Sequence, residues 1–370
     1  MEESNIKKVA VVFGGRSAEH EVSIRSAKNI IEALDKNLFQ PFLFGISQTG
    51  TWFYFSSLEE LNKKVVIKDE EAKNKYPTVQ FSCEDQRPTF HTYLNNFKVE
   101  SISIDVAFPI LHGSYGEDGC VQGLFQMLNL PFVGCSVLSS AIGMDKEIMK
   151  KIFLSSNILT SPWKTLYSWD MSNIKFEELA ESLGVPFFIK PANAGSSVGV
   201  HKIKSKEDFV NQLKDSFLYD SKVIAERFVK GREIECSVKG LQENPQASLP
   251  GEVISNHEFY SYEAKYLDEN GAIIKIPADL KKEEIIRIQV LAQKVYQVLC
   301  CSGLSRVDFF LTEDSELFVN EINTMPGFTN ISMYPKMWEA IGIKYSQLIT
   351  DLIQTAERQF HKDTKLKRTF

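Results

Sequence analysis

Two carboxylates and their neighbours in one short segment carry the strongest chemical signal. Gly303-Leu-Ser-Arg-Val-Asp-Phe-Phe-Leu and Leu317-Phe-Val-Asn-Glu-Ile-Asn are apolar runs flanking the polar stretch Thr312-Glu-Asp-Ser-Glu. That pattern predicts a hairpin. With the turn centred between Asp314 and Ser315, Asp308 faces Glu321 and Arg306 faces Asn323. Residues two apart share a face of a strand, so all four project together. Opposed carboxylates repel. A divalent cation between them removes the conflict, and hard oxygen donors of this kind suit Mg²⁺ with nucleotide phosphates completing its shell. The alternative is a solvated outer face with ordinary charges, and a bulge near the turn would break the register.

A second signal is Phe187-Phe-Ile-Lys-Pro-Ala-Asn-Ala-Gly-Ser-Ser-Val-Gly. Lys190 ends a strand, and Gly195, Ser196, Ser197 and Gly199 follow. A loop of small residues brings backbone N–H groups to phosphate oxygens, and a lysine beside it adds a mobile point charge. There is no Gly-Lys-Ser/Thr and a strand follows, so this is not a Walker A loop. Taken alone it also reads as an ordinary hairpin turn. Lys146, in Met144-Asp-Lys, reads either as a solvated helix charge or as part of the same phosphate site.

A third lies at the N-terminus. Val9-Ala-Val-Val-Phe-Gly-Gly places Gly14 and Gly15 at a strand end before a helix, the position where α/β proteins bind ligands. The G-x-G-x-x-G fingerprint is absent, which disfavours NAD. Glu19 and Glu21 either favour the helix N-terminus or, for Glu19, meet a ligand ammonium. His112, in Leu111-His-Gly-Ser-Tyr-Gly-Glu-Asp-Gly, ends another strand. It either faces the same crevice or is structural.

The elements that must position these groups follow from periodicity. Apolar runs Val9–Gly15, Pro41–Ile46, Ile104–Leu111 and Pro131–Gly134 read as strands. Ala27, Ile30, Ile31 and Leu34, then Val121–Leu128, read as helices. Alternation of this kind predicts βαβ units and a parallel sheet ending near residue 138. Residues 62–88 look like a polar surface excursion. A smaller region, 139–223, holds a helix over Ala141–Leu154, the Lys190 strand and loop, and a helix over Lys206–Leu218. The rest, 224–370, has strands at Val223–Val229 and Glu233–Val238. Then come a helix Lys281–Cys300 with Ile285, Ile288, Leu291, Val295 and Val298 on one stripe, the hairpin, and a last helix with Leu348, Leu352 and Ala356 on one face.

The 370 residues suit two or three domains, and 43% hydrophobic with 24% charged is globular composition. A net charge of −6 argues against a dedicated nucleic-acid binder. The basic stretch with Lys362, Lys365, Lys367 and Arg368 reads as a frayed terminus. No apolar stretch approaches a membrane span and no signal peptide is visible. Cys83, Cys120, Cys135, Cys236, Cys300 and Cys301 lack metal or disulfide spacing, so they read as reduced core thiols in a cytoplasmic protein.

Together these ordered motifs resemble the D-alanine–D-alanine ligases, of the ATP-grasp superfamily. The matching stretches are Gly14-Gly-Arg-Ser-Ala-Glu-His-Glu-Val-Ser, the His112 segment, Met144-Asp-Lys, and Lys190-Pro with Gly195-Ser-Ser-Val-Gly. They continue through Tyr262-Glu-Ala-Lys-Tyr, Arg306-Val-Asp and Glu321-Ile-Asn-Thr-Met-Pro-Gly, in family order over nearly the whole chain. The resemblance implies an N-terminal α/β substrate-binding domain (1–138), a central ATP-grasp domain (139–223) and a C-terminal one with metal site and lid (224–370). It implies ATP bound by Lys146, Lys190, Ser197, Glu226, Glu233 and Lys265. It also implies two Mg²⁺, or Mn²⁺, on Asp308, Glu321 and Asn323. Glu19, with His112, would hold the first D-alanine, in a hydrogen-bonded set with Ser196 and Tyr266. Ser332 would meet the carboxylate of the second D-alanine, and Arg306 and the Gly327 N–H an oxyanion. The segment Ser255–Lys275 would be a lid that keeps water from an acyl phosphate.

The implied activity is ligation of two D-alanines for peptidoglycan, with D-alanine and ATP as partners and a homodimer as the usual family state. A D-alanine–D-lactate or other carboxylate–amine ligase and a catalytically silent amino-acid sensor are the alternatives. Tyr266, where D-lactate-using relatives often carry histidine, favours an amine as second substrate. The intact set Lys190, Arg306, Asp308, Glu321 and Asn323 speaks against a sensor. Arg16, His20 and Arg227 depart from the family pattern without removing a catalytic group.

Overall fold

A computed structural model of the chain describes residues 6–63, 66–255 and 272–367. Strand Lys7–Gly14 has Val9 to Phe13 fully buried on both faces, as expected of a continuous apolar run at a sheet centre. It pairs in parallel with Phe39–Ile46 and with Val106–Pro109, and helix His20–Ala33 packs on it. Among the described strands, parallel pairing of whole strands stops there. Trp52–Phe55, Thr78–Glu84, Arg87–Leu94 and Phe97–Ser103 extend the sheet antiparallel to seven strands. The excursion expected over 62–88 therefore contains helix Asp69–Ala72 and a strand. Its turn signals are local: Asp85 and Gln86, then Asn95 and Asn96, all have positive φ, the two-residue turn whose twist suits a hairpin. The strand expected at Pro131–Gly134 makes a single bridge, Phe132 to Ala107.

The helix expected over Ala141–Leu154 is two helices, Val137–Met144 and Lys146–Ser155. Asp145 breaks them at φ −86°, ψ 99° and caps the second by accepting from the N–H groups of Glu147 and Ile148, each at 3.1 Å. An aspartate cap at this position is favourable, and it fixes Lys146 as the first residue of the new helix.

A four-stranded antiparallel sheet follows, in the order His201–Ile203, Phe187–Pro191, Lys222–Arg227, Trp163–Tyr167. A division at 223/224 thus falls inside a strand, and the sheets separate after Arg227. The third sheet has six strands. Arg232–Leu241 lies between Gly251–Ser255 and the hairpin strand Gly303–Leu311, with Leu317–Asn323 beyond. Helix Lys282–Val298 buries Ile288, Ala292, Val295 and Tyr296 against it, while Leu291 and Val298 are only partly buried. The last helix, Tyr345–Asp363, buries Leu348, Leu352 and Ala356 in a core shared with the N-terminal sheet. It carries helical order to Asp363, beyond the expected frayed start, and Lys362 meets Glu243 at 2.7 Å.

All six cysteines are free thiols, but only Cys135, Cys236 and Cys301 are buried, so Cys83, Cys120 and Cys300 are not core residues. Gly303 opens the hairpin at φ +78°, and a Cβ there would lie 2.9 Å from the Gly134 backbone N and O. Gly303→Ala is therefore expected to cost about 1–3 kcal/mol, read as a lower urea midpoint at unchanged m-value. An unchanged midpoint would contradict this close packing.

Candidate active site

One cleft of about 910 Å³ is lined by strands of the second and third sheets and, from the N-terminal unit, by helix His20–Ala33 with Glu19 before it and by the segment that follows Val106–Pro109. The hairpin forms one wall, with Asp308 opposite Glu321 and Arg306 opposite Asn323. The route to that register differs from the expected one. Near the turn the pairs are Leu311–Leu317, Phe310–Phe318 and Phe309–Val319, so the turn centres on Asp314, and an extra residue, Asn320, shifts the register beyond it. The bulge supplies the offset that had been assigned to the turn, so the four site residues meet as expected.

The repulsion between the carboxylates is met by two cations. Arg306 places Nε 2.7 Å from Asp308 Oδ1 and Nη2 2.7 Å from Oδ2, with Glu235 Oε2 3.1 Å from Nε. Burial would lower the Arg306 pKa, but Asp308 and Glu235 outweigh it and hold it well above its ordinary value. Lys146 Nζ is 3.7 Å from Glu321 Oε2. Asn323 Oδ1 accepts from the Met325 N–H at 2.9 Å.

Among the described residues no three His, Cys, Asp or Glu side chains cluster as a metal cage. Two carboxylates and an amide oxygen fit a hard cation that takes the rest of its shell from phosphate and water. They do not fit a self-sufficient protein site.

Opposite the hairpin, Glu226 sits between two lysines. Lys190 Nζ is 2.6 Å from Oε2 and Lys150 Nζ 2.5 Å from Oε1, and Ser161 Oγ also donates to Oε1. Burial would raise the Glu226 pKa, but the two lysines overcome it and hold the carboxyl well below its usual range. Glu226 in turn keeps Lys190 charged despite burial. Removing one partner of such a buried pair costs about 3–5 kcal/mol, because a charge is left unmatched. Glu233 lines the same end of the cleft.

The Gly/Ser loop is pinned at its start, where Asn193 N and Nδ2 donate to Asp220 at 2.8 and 2.9 Å. Lys146 Nζ donates to the Ala194 carbonyl at 2.7 Å. Lys146 is thus a half-buried tie between loop and hairpin and not a solvated helix charge. Ser196 and Ser197 have φ of 52° and 60°, a region costly for non-glycine residues and concentrated at ligand sites. Both line the cleft.

At the other end, Glu19 and Glu117 both approach this loop: a Cβ on Gly195 would lie 3.6 Å from Glu19 Oε2 and 3.8 Å from Glu117 Oε2. His112 is buried, with Nδ1 3.1 Å from the Met325 carbonyl and 3.8 Å from Glu117. Burial disfavours the imidazolium, but Glu117 and Glu19 raise its pKa above the ordinary value. Glu117→Gln is therefore expected to lower the His112 titration midpoint in ¹H NMR. A midpoint that does not move would contradict the pairing. Gly327 and Ser332 complete this end, with Ser332 Oγ accepting from the Thr329 N–H at 3.1 Å.

All expected site residues that fall within the described residues line this cleft. Lys265 and Tyr266, and with them most of the lid, lie outside the described residues. Two participants were missed. Glu117 sits inside a motif already singled out, and its acidic type beside His112 was the available signal. Lys150 is one of three lysines on helix Lys146–Ser155, and nothing in the local sequence sets it apart. Arg227 donates to the Leu183 carbonyl at 3.2 Å and also lines the cleft, whereas buried His20 bonds Gly15 O and the Ile67 N–H and is structural.

Comparison with known proteins shows what the whole chain is similar to. Family models described as D-ala D-ala ligase N-terminus and C-terminus match residues 8–135 and 152–354. The chain is 44% identical to D-alanine–D-alanine ligase of Oceanobacillus iheyensis, over 98% of each chain. It is also 44% identical to D-alanine–D-alanine ligase A of Escherichia coli K12, over 98% of this chain and 99% of the relative. The solved D-alanine–D-alanine ligase from Coxiella burnetii superposes with TM-score 0.85 at 35% identity, covering 97% of this chain and 96% of that one. The VanG D-Ala:D-Ser ligase of Enterococcus faecalis superposes with TM-score 0.84 at 35% identity, covering 95% of this chain and 100% of that one.

Proposed function

The chain belongs to the D-alanine–D-alanine ligase family, and from that premise we propose how its cleft divides the work. It is an ATP-dependent ligase of the ATP-grasp fold that joins two D-alanine molecules for cell-wall synthesis. ATP and a divalent metal belong to its chemistry, and its substrates are small molecules. No helix among the described residues is long and apolar enough to cross a membrane.

The finer assignment is as follows. Lys190, Lys146 and Ser197 take the triphosphate; Glu226 and Glu233 take the base and ribose. Asp308, Glu321 and Asn323 hold two Mg²⁺ ions, which supply charge neutralisation at the transferring phosphoryl group. Glu19 binds the ammonium of the first D-alanine, with Ser196 and His112 beside it. Held there, that substrate's carboxylate attacks the γ-phosphorus, giving an acyl phosphate and ADP. The amine of the second D-alanine, whose carboxylate meets Ser332, then attacks the acyl carbon and phosphate leaves. Fixed donors suit the oxyanion of that step. We assign them to the Gly327 N–H and to Arg306 through Nη1, since Nε and Nη2 engage Asp308. Lys265 and Tyr266 keep the phosphate and substrate roles the family resemblance implies. A cytoplasmic homodimer is part of the same proposal.

The observation that carries this reading is the hairpin register, which sets Asp308 against Glu321 with Arg306 and Lys146 as their cations. The test is phosphate release by the purified protein with ATP, Mg²⁺ and D-alanine. Release that depends on D-alanine and yields the dipeptide is expected. Release indifferent to D-alanine would overturn the reading. D-Lactate in place of the second D-alanine is expected to give no product.

A further inference from the structure

Lys150 lies in the wall behind Glu226, and none of the roles above uses it. Its side chain is 1% exposed. Its ammonium donates to Thr160 Oγ1 at 2.7 Å and Ser161 Oγ at 3.1 Å and meets Glu226 Oε1 at 2.5 Å. Three hydrogens thus have three oxygen partners inside the wall, so Lys150 has no donor left for a ligand. Lys190 differs: it lines the cleft yet is held to Glu226 Oε2. To reach a phosphate, Lys190 must give up that contact, and Glu226, 2% exposed, would then need another cation.

We propose that Lys150 is a positioning residue for nucleotide recognition, holding Glu226 from behind so that Lys190 can pass to the triphosphate. The wall changes from one carboxylate with two lysines to a neutral Lys150–Glu226 pair, and Lys190 carries its full charge to the ligand. Lys150 and Ser161 both occupy Oε1, which leaves Oε2 facing the cleft as an ionised acceptor. An acceptor there suits the exocyclic amine of adenine and opposes the carbonyl oxygen of guanine. The proposal rests on the reading of Glu226 as the base-side contact and Lys190 as a phosphate contact.

Steady-state kinetics test it. Without Lys150, Lys190 stays on Glu226. Lys150→Met is therefore expected to raise KM for ATP about tenfold or more, to narrow the preference for ATP over GTP, and to leave KM for D-alanine unchanged. Lys150→Arg, which keeps the charge, is expected to recover part of the loss. In a Glu226→Gln background there is no carboxylate to strand, so adding Lys150→Met is expected to change KM for ATP less than about twofold.

An unchanged KM for ATP in Lys150→Met, or an equal rise in both backgrounds, would overturn the proposal. If Lys150→Met does not accumulate as folded protein, Lys150→Met/Glu226→Gln removes both charges together. Its comparison with Glu226→Gln alone then decides: equal KM supports the proposal and a further rise contradicts it. Glu226→Gln with unaltered KM for ATP and unaltered base preference would sink the base-side reading itself, and the proposal with it.

Discussion

Glu321→Gln is expected to lower turnover by at least about 10²–10³-fold, the scale of removing one charge-stabilising group from a reacting centre, while the protein unfolds at an unchanged or slightly higher temperature. The two halves of this result have one cause. Glu321 stands directly across from Asp308, and like charges in that position destabilise a sheet. Lys146, at 3.7 Å, and the charge of Arg306 offset that repulsion, so exchanging Glu321 for a neutral amide loses attraction and repulsion together and nearly cancels in the fold. What the amide does not replace is a charged ligand for the cations of the chemistry. Steady-state assay and thermal unfolding of the same preparation check it. Near wild-type turnover, or a stability loss that accounts for the inactivity, would sink the metal assignment.

Lys190→Met is expected to lower kcat/KM for ATP by about 10²–10³-fold, with KM for D-alanine little changed, because a lysine charge on the phosphoryl group counts most in the transition state. Stability is expected to fall only modestly. Lys150 and Ser161 remain on Glu226 after the change, so the carboxylate is not stranded. Lys190→Arg is expected to rescue poorly, since a planar fork does not replace a compact ammonium at a point contact. A loss confined to the D-alanine KM would contradict the phosphate role.

Much of this site was legible in the sequence, for reasons that differ residue by residue. Asp308, Glu321, Arg306 and Asn323 were readable because strand geometry converts spacing into facing. The bulge at Asn320 could have defeated that reading; the turn happens to sit half a residue earlier and restores it. Lys146 was visible only as a residue type, and the Asp145 cap that starts a new helix there is what fixes its place between loop and hairpin. Lys150 carries no local signal of its own, and Glu117 only its acidic type beside His112. Their roles come from what tertiary packing places against them, Glu226 from a distant strand and His112 across a loop. The antiparallel extension of the first sheet was missed because Thr78–Glu84 is half-exposed and weakly apolar. Its Asn95–Asn96 turn was the available clue.

The central claim is that this cleft joins two D-alanines through an acyl phosphate. D-Alanine labelled with ¹⁸O in both carboxylate oxygens, incubated with the enzyme, ATP and Mg²⁺, tests it most directly by mass analysis of the phosphate released. The first D-alanine loses one carboxylate oxygen to phosphorus when its acyl phosphate breaks at the carbon. Inorganic phosphate carrying a single ¹⁸O is the predicted result, formed in step with dipeptide. Unlabelled phosphate released in step with dipeptide would contradict it.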